Sequence, residues 1–307
     1  MAELTELLEK EGVDKELLAG AAEFRKAYPA DPDFADRIPE VSALYYGKTV
    51  WEEAVAVLLS GRNLLLAGPK ATGKNLLCEN LAALFGRPVW NVSFHIGTDA
   101  AGLIGTDTFD GEKVSFRKGP VCMSAEKGGF CILDEINMAR NESLAVLHAA
   151  LDHRRIIDVP GYDLIRVDRA ARFIATMNYG YAGTRDLNEA LSSRFAIITM
   201  PQITEENMLR LLRRNFPDIS ERIAGQFVKL FGELARKAEK SEISDRAVDM
   251  RGMLDALDLI RQGLSSGQAL ELTIVSKTFD RYEQTLIRDC IGSRIPADLD
   301  RSVVFAG

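Results

Sequence analysis

The sequence contains few cysteine and histidine residues, and their spacing does not suggest disulfides or a metal site. None of the four cysteines is spaced as one of a pair, and two of them, Cys78 and Cys131, lie in apolar runs where reduced core thiols are common. The three histidines, His95, His148 and His153, are not spaced as metal ligands. We therefore expect neither disulfides nor zinc, and ordinary structural or surface roles for the histidines.

Long apolar runs and an excess of basic charge are also absent. No window approaches the roughly 20 consecutive apolar residues that a membrane-spanning helix requires. The first residues, Met1-Ala2-Glu3-Leu4-Thr5-Glu6, lack the basic and apolar regions of a secretory signal, so we expect a cytoplasmic protein without membrane insertion. With 38 basic and 45 acidic side chains, the net charge of -7 gives no general attraction to the phosphate backbone of nucleic acid.

The periodicity of apolar residues divides the chain into three parts. Residues 1–45 carry apolar positions at helical intervals and predict a helical N-terminal extension. Residues 46–203 alternate short apolar runs with stretches long enough for helical crossovers, which predicts an α/β core with a parallel sheet. The runs predicted as strands are 63–67, 88–93, 130–133, 172–177 and 196–200. Residues 204–307 lose the strand signals and predict a small all-helical domain. Its helical stretches are predicted at about 204–215, 218–240, 244–264 and 266–290.

Two stretches inside the core interrupt this alternation and predict β-hairpins. One covers 106–116 around Asp110-Gly111, and the other covers 155–167 around Pro160-Gly161. Pairs of this kind favour tight turns. Both hairpins are insertions in the α/β pattern.

A phosphate-binding loop follows the first predicted strand. Gly68-Pro69-Lys70-Ala71-Thr72-Gly73-Lys74-Asn75 has the spacing G-x-x-x-x-G-K-[ST] except at its last position, and the predicted helix continues through Leu76. The glycines let backbone N–H groups curl around phosphate oxygens, and Lys74 can reach the β- and γ-phosphates of a nucleotide. A glycine turn that binds nothing is the alternative, and the motifs that follow argue against it.

Asn75 is the main departure from this pattern, because a serine or threonine hydroxyl normally contacts magnesium at its position. An amide oxygen is also a hard ligand, but asparagine is longer and adds a competing NH₂ group. Three outcomes stay open. The site could retain the metal, bind it more weakly, or hold nucleotide without turning it over. We favour the first.

An apolar strand ending in two carboxylates, Asp134 and Glu135, has the arrangement of a Walker B motif. We expect Asp134 to orient Mg²⁺ and Glu135 to polarise the water that attacks the γ-phosphate of ATP. Surface carboxylates at a strand end are the alternative. Together with the phosphate loop, this motif predicts an enzyme that binds and hydrolyses ATP.

These motifs resemble the AAA+ superfamily, in particular its MoxR-like and dynein-related group. The resemblance rests on residues 129–139 and 175–178 and covers roughly residues 45 to 205. It implies a P-loop NTPase core, in which helices flank a five-stranded parallel sheet, followed by a small helical lid domain. It also implies that Asn178 is the first sensor, which positions the attacking water beside Glu135. A polar cap at a strand end is the alternative role for Asn178.

The resemblance implies that further residues contact the nucleotide, either from a neighbouring subunit or within the same one. Arg194 resembles the arginine finger that reaches the nucleotide of a neighbouring subunit, and a salt bridge within the chain is its alternative role. Arg246, with Arg251 as a close rival, resembles the second sensor, although an exposed helical arginine needs no such role. Tyr46-Gly47 resembles the segment that packs on adenine.

The resemblance further implies a partner for Glu135 and a role for the hairpins. Asn91, or its competitor Ser93, is implied as the polar group that restrains Glu135. The two hairpins resemble inserts that face the pore of a ring, so Phe109 and Tyr162 are candidates for contact with a client protein. Aromatic residues that only stabilise the hairpins are an equal alternative.

Three functions are compatible with these residues. The favoured one is an ATPase that forms a homo-oligomeric ring, a hexamer by family resemblance, and remodels, activates or assembles a separate client or adaptor protein. A partner with a von Willebrand factor A domain is typical of MoxR-like proteins. The second function is a nucleotide-gated scaffold in which Asn75 impairs hydrolysis. A nucleic-acid motor is the third, and the acidic balance argues against it, although Lys113, Arg117 and Lys118 lie in the first insert.

Overall fold

The computed structural model describes residues 2–41, 43–109, 111–159, 161–162, 164–179 and 186–305. Asp110 and Pro160, at the centres of the two predicted hairpin turns, lie outside this set. The chain forms two compact units, one of Met1–Pro69 with Gly73–Pro201 and the other of Lys70–Thr72 with Gln202–Gly307.

The first unit contains a parallel sheet and two hairpins. In chain order the strands are β1 (Asn63–Ala67), β2 (Val89–Ser93), β3 (Gly105–Phe109), β4 (Val114–Lys118), β5 (Phe130–Asp134), β6 (Ile156–Ile157), β7 (Ile165–Arg166), β8 (Arg172–Met177) and β9 (Phe195–Thr199). The large sheet has the strand order β2-β5-β8-β1-β9, and all its neighbouring strands are parallel. Strands β3 and β4 pair antiparallel, as do β6 and β7. The predicted five-stranded parallel sheet is confirmed.

Burial on both faces explains why the parallel strands are continuous apolar runs. Along β1, Leu64 and Leu66 belong to one core cluster, and Leu65 belongs to the cluster on the opposite face. Along β8, Ile174 and Phe173 divide in the same way. Side chains of a strand alternate between faces, so a strand covered on both sides needs apolar residues at consecutive positions.

Helices cover the sheet, and the N-terminal residues pack with them. The helices of the first unit are α1 (Ala2–Lys10), α2 (Lys15–Ala27), α3 (Lys48–Leu59), α4 (Lys74–Phe85), α5 (Ala100–Ile104), α6 (Pro120–Glu126), α7 (Asn141–Leu144), α8 (Leu147–Leu151) and α9 (Glu189–Ser192), with 3-10 helices at Pro32–Arg37 and Ile136–Met138. In α1 and α2, Leu8 and Phe24 lie in the same cluster as the inner faces of α3 and α4. The rings of Phe24 and Phe85 meet edge to face at 5.2 Å. The N-terminal helices therefore share the core of the first unit.

The regular secondary structure in the described residues of the second unit is helical. Its helices are α10 (Glu205–Asn215), α11 (Glu221–Glu239), α12 (Met250–Arg261), α13 (Ser266–Thr273), α14 (Arg281–Arg294) and α15 (Arg301–Val304), with 3-10 helices at Asp245–Ala247 and Val275–Lys277. A separate apolar cluster includes Leu212, Phe227 and Leu257. The prediction of a helical C-terminal region is confirmed.

The predicted helical stretch over 266–290 is wrong as a single helix, because α13 ends at Thr273 and α14 begins at Arg281. Asp280 is the N-cap of α14, and its side chain accepts a hydrogen bond of 2.9 Å from the backbone N–H of Glu283. This side-chain cap satisfies an N–H group that has no partner inside the helix and so favours a new start.

The described helices include none that combines the length and the apolar character needed to cross a lipid bilayer.

Candidate nucleotide-binding site

The phosphate loop connects β1 to α4 at the carboxyl edge of the parallel sheet. Gly68 follows β1, and its N–H donates to the carbonyl of Met177 at the end of β8, at 3.1 Å. Gly73, the N-cap of α4, has a φ of 79°, a left-handed conformation that favours glycine. Ala71 also has a positive φ, of 61°. The loop therefore turns sharply in front of the α4 N-terminus, where anions bind readily.

Lys74 is buried, and it bends back onto the loop that precedes it. Its Nζ donates to the carbonyl of Gly68 at 3.0 Å and to that of Pro69 at 2.7 Å. Burial lowers the pKa of Lys74 to about 8, while the charges of Asp134 and Glu135 oppose this shift. The ammonium group is thus close to both the loop carbonyls and the acidic pair.

The remaining loop residues differ in burial. Thr72 is buried, Lys70 is exposed, and Leu76, in the first turn of α4, packs against the apolar cluster that contains the inner face of this helix.

Asn75 and Asp134 connect the phosphate loop to the end of β5. Asn75 Nδ2 donates to Asp134 Oδ2 at 3.0 Å. The hydroxyl of Thr176 donates to the other carboxylate oxygen, Asp134 Oδ1, at 2.5 Å. Both oxygens of Asp134 therefore accept hydrogen bonds, one from the loop and one from the neighbouring strand β8.

Glu135 has an unusual backbone and a fixed carboxylate. Its φ of 54° and ψ of 45° are left-handed, which is uncommon for a residue other than glycine. Its N–H donates to Thr176 Oγ1 at 3.0 Å, and its Oε1 accepts from Asn178 Nδ2 at 2.8 Å. Asn137 donates to the backbone carbonyl of Asn178 at 2.7 Å, which joins the loop after Glu135 to the end of β8.

Asn178 is the side chain that holds Glu135. We expected Asn91 or Ser93 to restrain this carboxylate, but both side chains are exposed, and within the described residues Glu135 Oε1 accepts from Asn178. Strands β2 and β8 both lie beside β5, so adjacency alone does not select the partner, and it is the residue after β8 that bonds to Glu135.

Three residues at this edge were missed by the sequence analysis: Thr176, Asn137 and Tyr45. Thr176 lies two positions before Asn178, so the period of two along a strand directs both side chains to the same side. That spacing was a usable signal for Thr176. No local signal marked Asn137, whose partner is 41 residues away along the chain.

Tyr45, rather than its neighbour Tyr46, lies against the glycines of the site. A Cβ added at Gly47 or at Gly73 would come within 3.0 Å of the Tyr45 ring. Burial raises the pKa of Tyr45 to about 12. Tyr46 is half-buried and packs against the apolar cluster that contains the inner face of α3, and its predicted contact with adenine stays a prediction.

Arg194 lies apart from these residues and contacts its own chain. Its Nη1 donates to the carbonyl of Ala190, and its Nη2 lies 3.7 Å from Asp152 Oδ2. Its Nε is buried and has no hydrogen-bond partner among the described residues. The structure does not bring Arg194 into contact with Asp134 or Glu135 of the same chain.

The two candidates for the second sensor lie in the helical unit. Arg246 is in the 3-10 helix Asp245–Ala247, and Arg251 is in the first turn of α12. Both side chains are exposed. Their predicted role toward nucleotide stays a prediction.

The hairpin inserts contact each other through Tyr162, which lies between β6 and β7. Its hydroxyl donates to Asp107 Oδ1 at 2.6 Å, and its ring lies 4.9 Å from the ring of Phe116 on β4. Phe109, at the end of β3, is 69% exposed. Tyr162 therefore stabilises the hairpin pair, and Phe109 is available for contact with a partner.

Comparison with known proteins identifies the family of the chain. Residues 63–195 match the AAA domain of the dynein-related subfamily. The uncharacterized protein YojN of Bacillus subtilis is 32% identical over 269 residues, which cover 86% of this chain and 88% of YojN. The uncharacterized protein SH1500 of Staphylococcus haemolyticus is 31% identical over 250 residues, which cover 80% of this chain and 95% of SH1500.

A crystal structure from Cytophaga hutchinsonii, of a protein provisionally described as an ATPase, aligns with a TM-score of 0.47 and 18% identity over 79% of this chain and 81% of that one. The sequence matches confirm the resemblance drawn from residues 129–139 and 175–178. This chain belongs to the AAA family of ATPases, in its dynein-related subfamily.

Proposed function

We propose that this chain binds ATP and hydrolyses it to ADP and phosphate at the carboxyl edge of its parallel sheet. The observation that carries the proposal is the 2.8 Å hydrogen bond from Asn178 to Glu135, because it orients a carboxylate that can polarise water at the edge where the phosphate loop lies. The 3.0 Å hydrogen bond from Asn75 to Asp134 joins the loop to the acidic pair at the same edge. Phosphoryl transfer to water depends mainly on such positioning and on stabilisation of charge.

Each residue has a distinct task in this proposal. Lys74 leaves the carbonyls of Gly68 and Pro69 and donates to phosphate oxygens, as the lysine of a phosphate loop does. Glu135 accepts a hydrogen bond from the attacking water and takes up the proton that this water loses as it attacks the γ-phosphate. Asn178 keeps the carboxylate of Glu135 in the orientation that this transfer needs.

The chemistry of the donor set at this edge fits Mg²⁺, which prefers hard oxygen ligands. Asn75 holds Asp134 through its amide nitrogen, so its amide oxygen and the Asp134 carboxylate are the side-chain groups that would hold the ion. Among the described residues, no group of three or more His, Cys, Asp or Glu side chains could hold a metal alone. Mg²⁺ held by these residues together with phosphate oxygens of ATP would neutralise phosphate charge.

The ring and its coupling extend this proposal. Arg194 acts on the nucleotide of the adjacent subunit, which is consistent with its lack of contact with the acidic pair of its own chain.

Residues 204–307 serve as the lid of the core at 46–203, with Arg246 or Arg251 as second sensor, and Tyr46-Gly47 packs on the adenine base. A hexameric ring of this MoxR-like kind would remodel, activate or assemble a separate protein, with a von Willebrand factor A partner as one candidate. Exposed Phe109 is the side chain best placed for such a contact.

A nucleotide-gated scaffold is the second candidate function. The observation that favours it is again at Asn75, whose amide nitrogen donates to the carboxylate that Mg²⁺ needs. If that bond persisted with nucleotide bound, the metal would be held weakly and hydrolysis would be slow. The restrained Glu135 carboxylate favours hydrolysis, because a scaffold needs no group that polarises water.

Steady-state phosphate release with Mg–ATP tests the proposal directly. We expect the wild-type chain to turn over and Glu135→Gln to lose about 100-fold or more of kcat, the usual contribution of a general base. Binding of a fluorescent ADP analogue should persist in this variant, because Glu135 does not contact the phosphate loop through any described hydrogen bond. Glu142→Gln, an equal change at an exposed carboxylate of α7, is the matched control and should keep wild-type kcat.

Asn75→Thr separates the two candidate functions in the same assay. Turnover in wild type that Glu135→Gln abolishes supports the ATPase. A wild-type chain that releases no phosphate, together with an Asn75→Thr variant that does, would reject the ATPase in favour of the scaffold.

A further inference from the structure

Thr176 lies within the stretch 175–178 that carries the family resemblance, and the sequence analysis assigned it no role. It lies on β8 beside the end of β5 and is 1% exposed. Its hydroxyl donates to Asp134 Oδ1 at 2.5 Å and accepts from the N–H of Glu135 at 3.0 Å. One oxygen atom thus bonds to both members of the acidic pair.

We propose that Thr176 is a positioning residue for ATP hydrolysis, which sets the orientation of Asp134 and Glu135 together. This inference rests on the proposed function. A hydroxyl is suited to the task because it is a donor and an acceptor at a single atom. Valine has nearly the same shape but can do neither, so it would leave a carboxylate oxygen and a backbone N–H without their partner.

The backbone of Glu135 shows why its N–H needs a partner. A left-handed conformation at a residue other than glycine persists only where surrounding contacts determine it. The N–H of Glu135 bonds to Thr176, and the carboxylate bonds to Asn178, which directly follows the same strand. The two bonds together fix the residue at both its backbone and its side chain.

The bond to Asp134 has a second consequence. Since Thr176 occupies Oδ1, the orientation that it sets directs Oδ2 to Asn75 of the phosphate loop. Strand β8 therefore aligns Asp134 with the loop through Thr176 and aligns Glu135 with the attacking water through Asn178.

Substitutions at Thr176 test this role when binding and turnover are measured separately. We expect Thr176→Val to lower kcat by roughly 10- to 100-fold, the loss typical of one hydrogen bond to a charged group. Thr176→Ser keeps the hydroxyl and should stay within about threefold of wild type, and Thr176→Cys, a weak donor, should fall between them. The Kd of a fluorescent ADP analogue without Mg²⁺ should change by less than about twofold in all three, because that affinity comes from the phosphate loop.

The results distinguish this role from a structural one and from failure of the proposed function. If Thr176→Val, or Thr176→Cys should the valine variant not fold, keeps wild-type kcat, the positioning role is wrong while the ATPase stands. Equal losses of kcat and of metal-free nucleotide affinity, with no rescue by Thr176→Ser, would also overturn it. A wild-type chain that binds nucleotide without any turnover would reject the proposed hydrolysis, and the role of Thr176 with it.

Discussion

The side chains of the site are linked to one another by a short series of hydrogen bonds. Lys74 bonds to the loop carbonyls, Asn75 to Asp134, Thr176 to both acidic residues, and Asn178 to Glu135. Lys74, Asn75, Asp134 and Glu135 are therefore each already hydrogen-bonded within the protein. Binding of phosphate must replace some of these bonds. The clearest case is Lys74, which would exchange its bonds to the loop carbonyls for bonds to phosphate oxygens.

The lowered pKa of Lys74 predicts a pH dependence of nucleotide affinity. Only the charged ammonium binds phosphate well, and the pKa of about 8 means that raising the pH through this value removes the charge. The Kd of ADP should therefore be nearly constant below pH 8 and rise above it, by up to about tenfold per pH unit. Fluorescence titrations between about pH 7 and pH 9.5 would measure this rise.

Lys74→Arg is the control for that titration, because arginine stays charged through the whole range. The absolute Kd of this variant can differ from wild type, but its dependence on pH above 8 should be nearly flat. A wild-type Kd that does not change over the same range would contradict the assignment of Lys74 to phosphate binding.

At the scale of elements, the two hairpin inserts contact each other. Tyr162, between β6 and β7, bonds to Asp107 on β3 and packs on Phe116 on β4. Strand β7 is followed closely by β8, which contains Thr176 and is directly followed by Asn178. The hairpin pair therefore lies only a few residues along the chain from the strand that contacts the acidic pair.

Removing Tyr162 should loosen the hairpin of β3 and β4. We expect backbone amides of 105–118 to exchange hydrogen faster in Tyr162→Ala, roughly threefold to tenfold, because an aromatic contact and a hydrogen bond are lost together. Tyr162→Phe loses only the bond to Asp107 and should show a smaller effect. Hydrogen exchange followed by mass spectrometry measures both.

Phe109→Ala is the matched control, since its ring is largely exposed and its partner across the hairpin, Val114, is exposed as well. It should leave the exchange of the hairpin nearly unchanged. Equal acceleration in the two alanine variants would mean that Tyr162 does not connect the inserts.

For the whole molecule, the position of Arg194 bears on whether one chain or two neighbouring chains form the proposed site. Arg194 is held by Asp152 and by the carbonyl of Ala190, and it has no described contact with the acidic pair of its own chain. In the proposed ring, Arg194 would act at the site of a neighbouring copy. Activity would then be a property of the assembly.

Mixing two inactive variants tests the shared site. Glu135→Gln and Arg194→Ala should each have little activity, and an equal mixture should recover up to about a quarter of the wild-type rate if subunits combine at random in a ring. Each recovered site joins an intact Glu135 from one chain to an intact Arg194 from its neighbour. Phosphate release before and after mixing and reassembly provides the measurement.

The double variant is the control for this experiment. A mixture of Arg194→Ala with chains that carry both substitutions contains no interface with both groups intact, so it should stay inactive. Wild-type activity in Arg194→Ala alone would instead support the role of Arg194 in a salt bridge within its own chain.

Much of the fold and part of the site followed from local patterns in the sequence. The five apolar runs became the five parallel strands, and the phosphate loop, the acidic pair and Asn178 all lie at one edge of the sheet. The break between α13 and α14 was missed, although Asp280 and Glu283 carried a capping signal. Thr176 was missed because its partners were unknown until the neighbour of β8 was known.

The sequence alone predicted the loop, the strands and the candidates for the reacting groups, because each depends on residues close together along the chain. Only the tertiary structure decided which distant groups meet. The order β2-β5-β8-β1-β9 places β8 beside β5, so Thr176 reaches Asp134 across 42 residues of chain. Tyr162 reaches Asp107 across 55 residues in the same manner. Apolar periodicity indicates that a strand is buried but not which strand lies next to it, and pairing decides which polar side chains share hydrogen bonds.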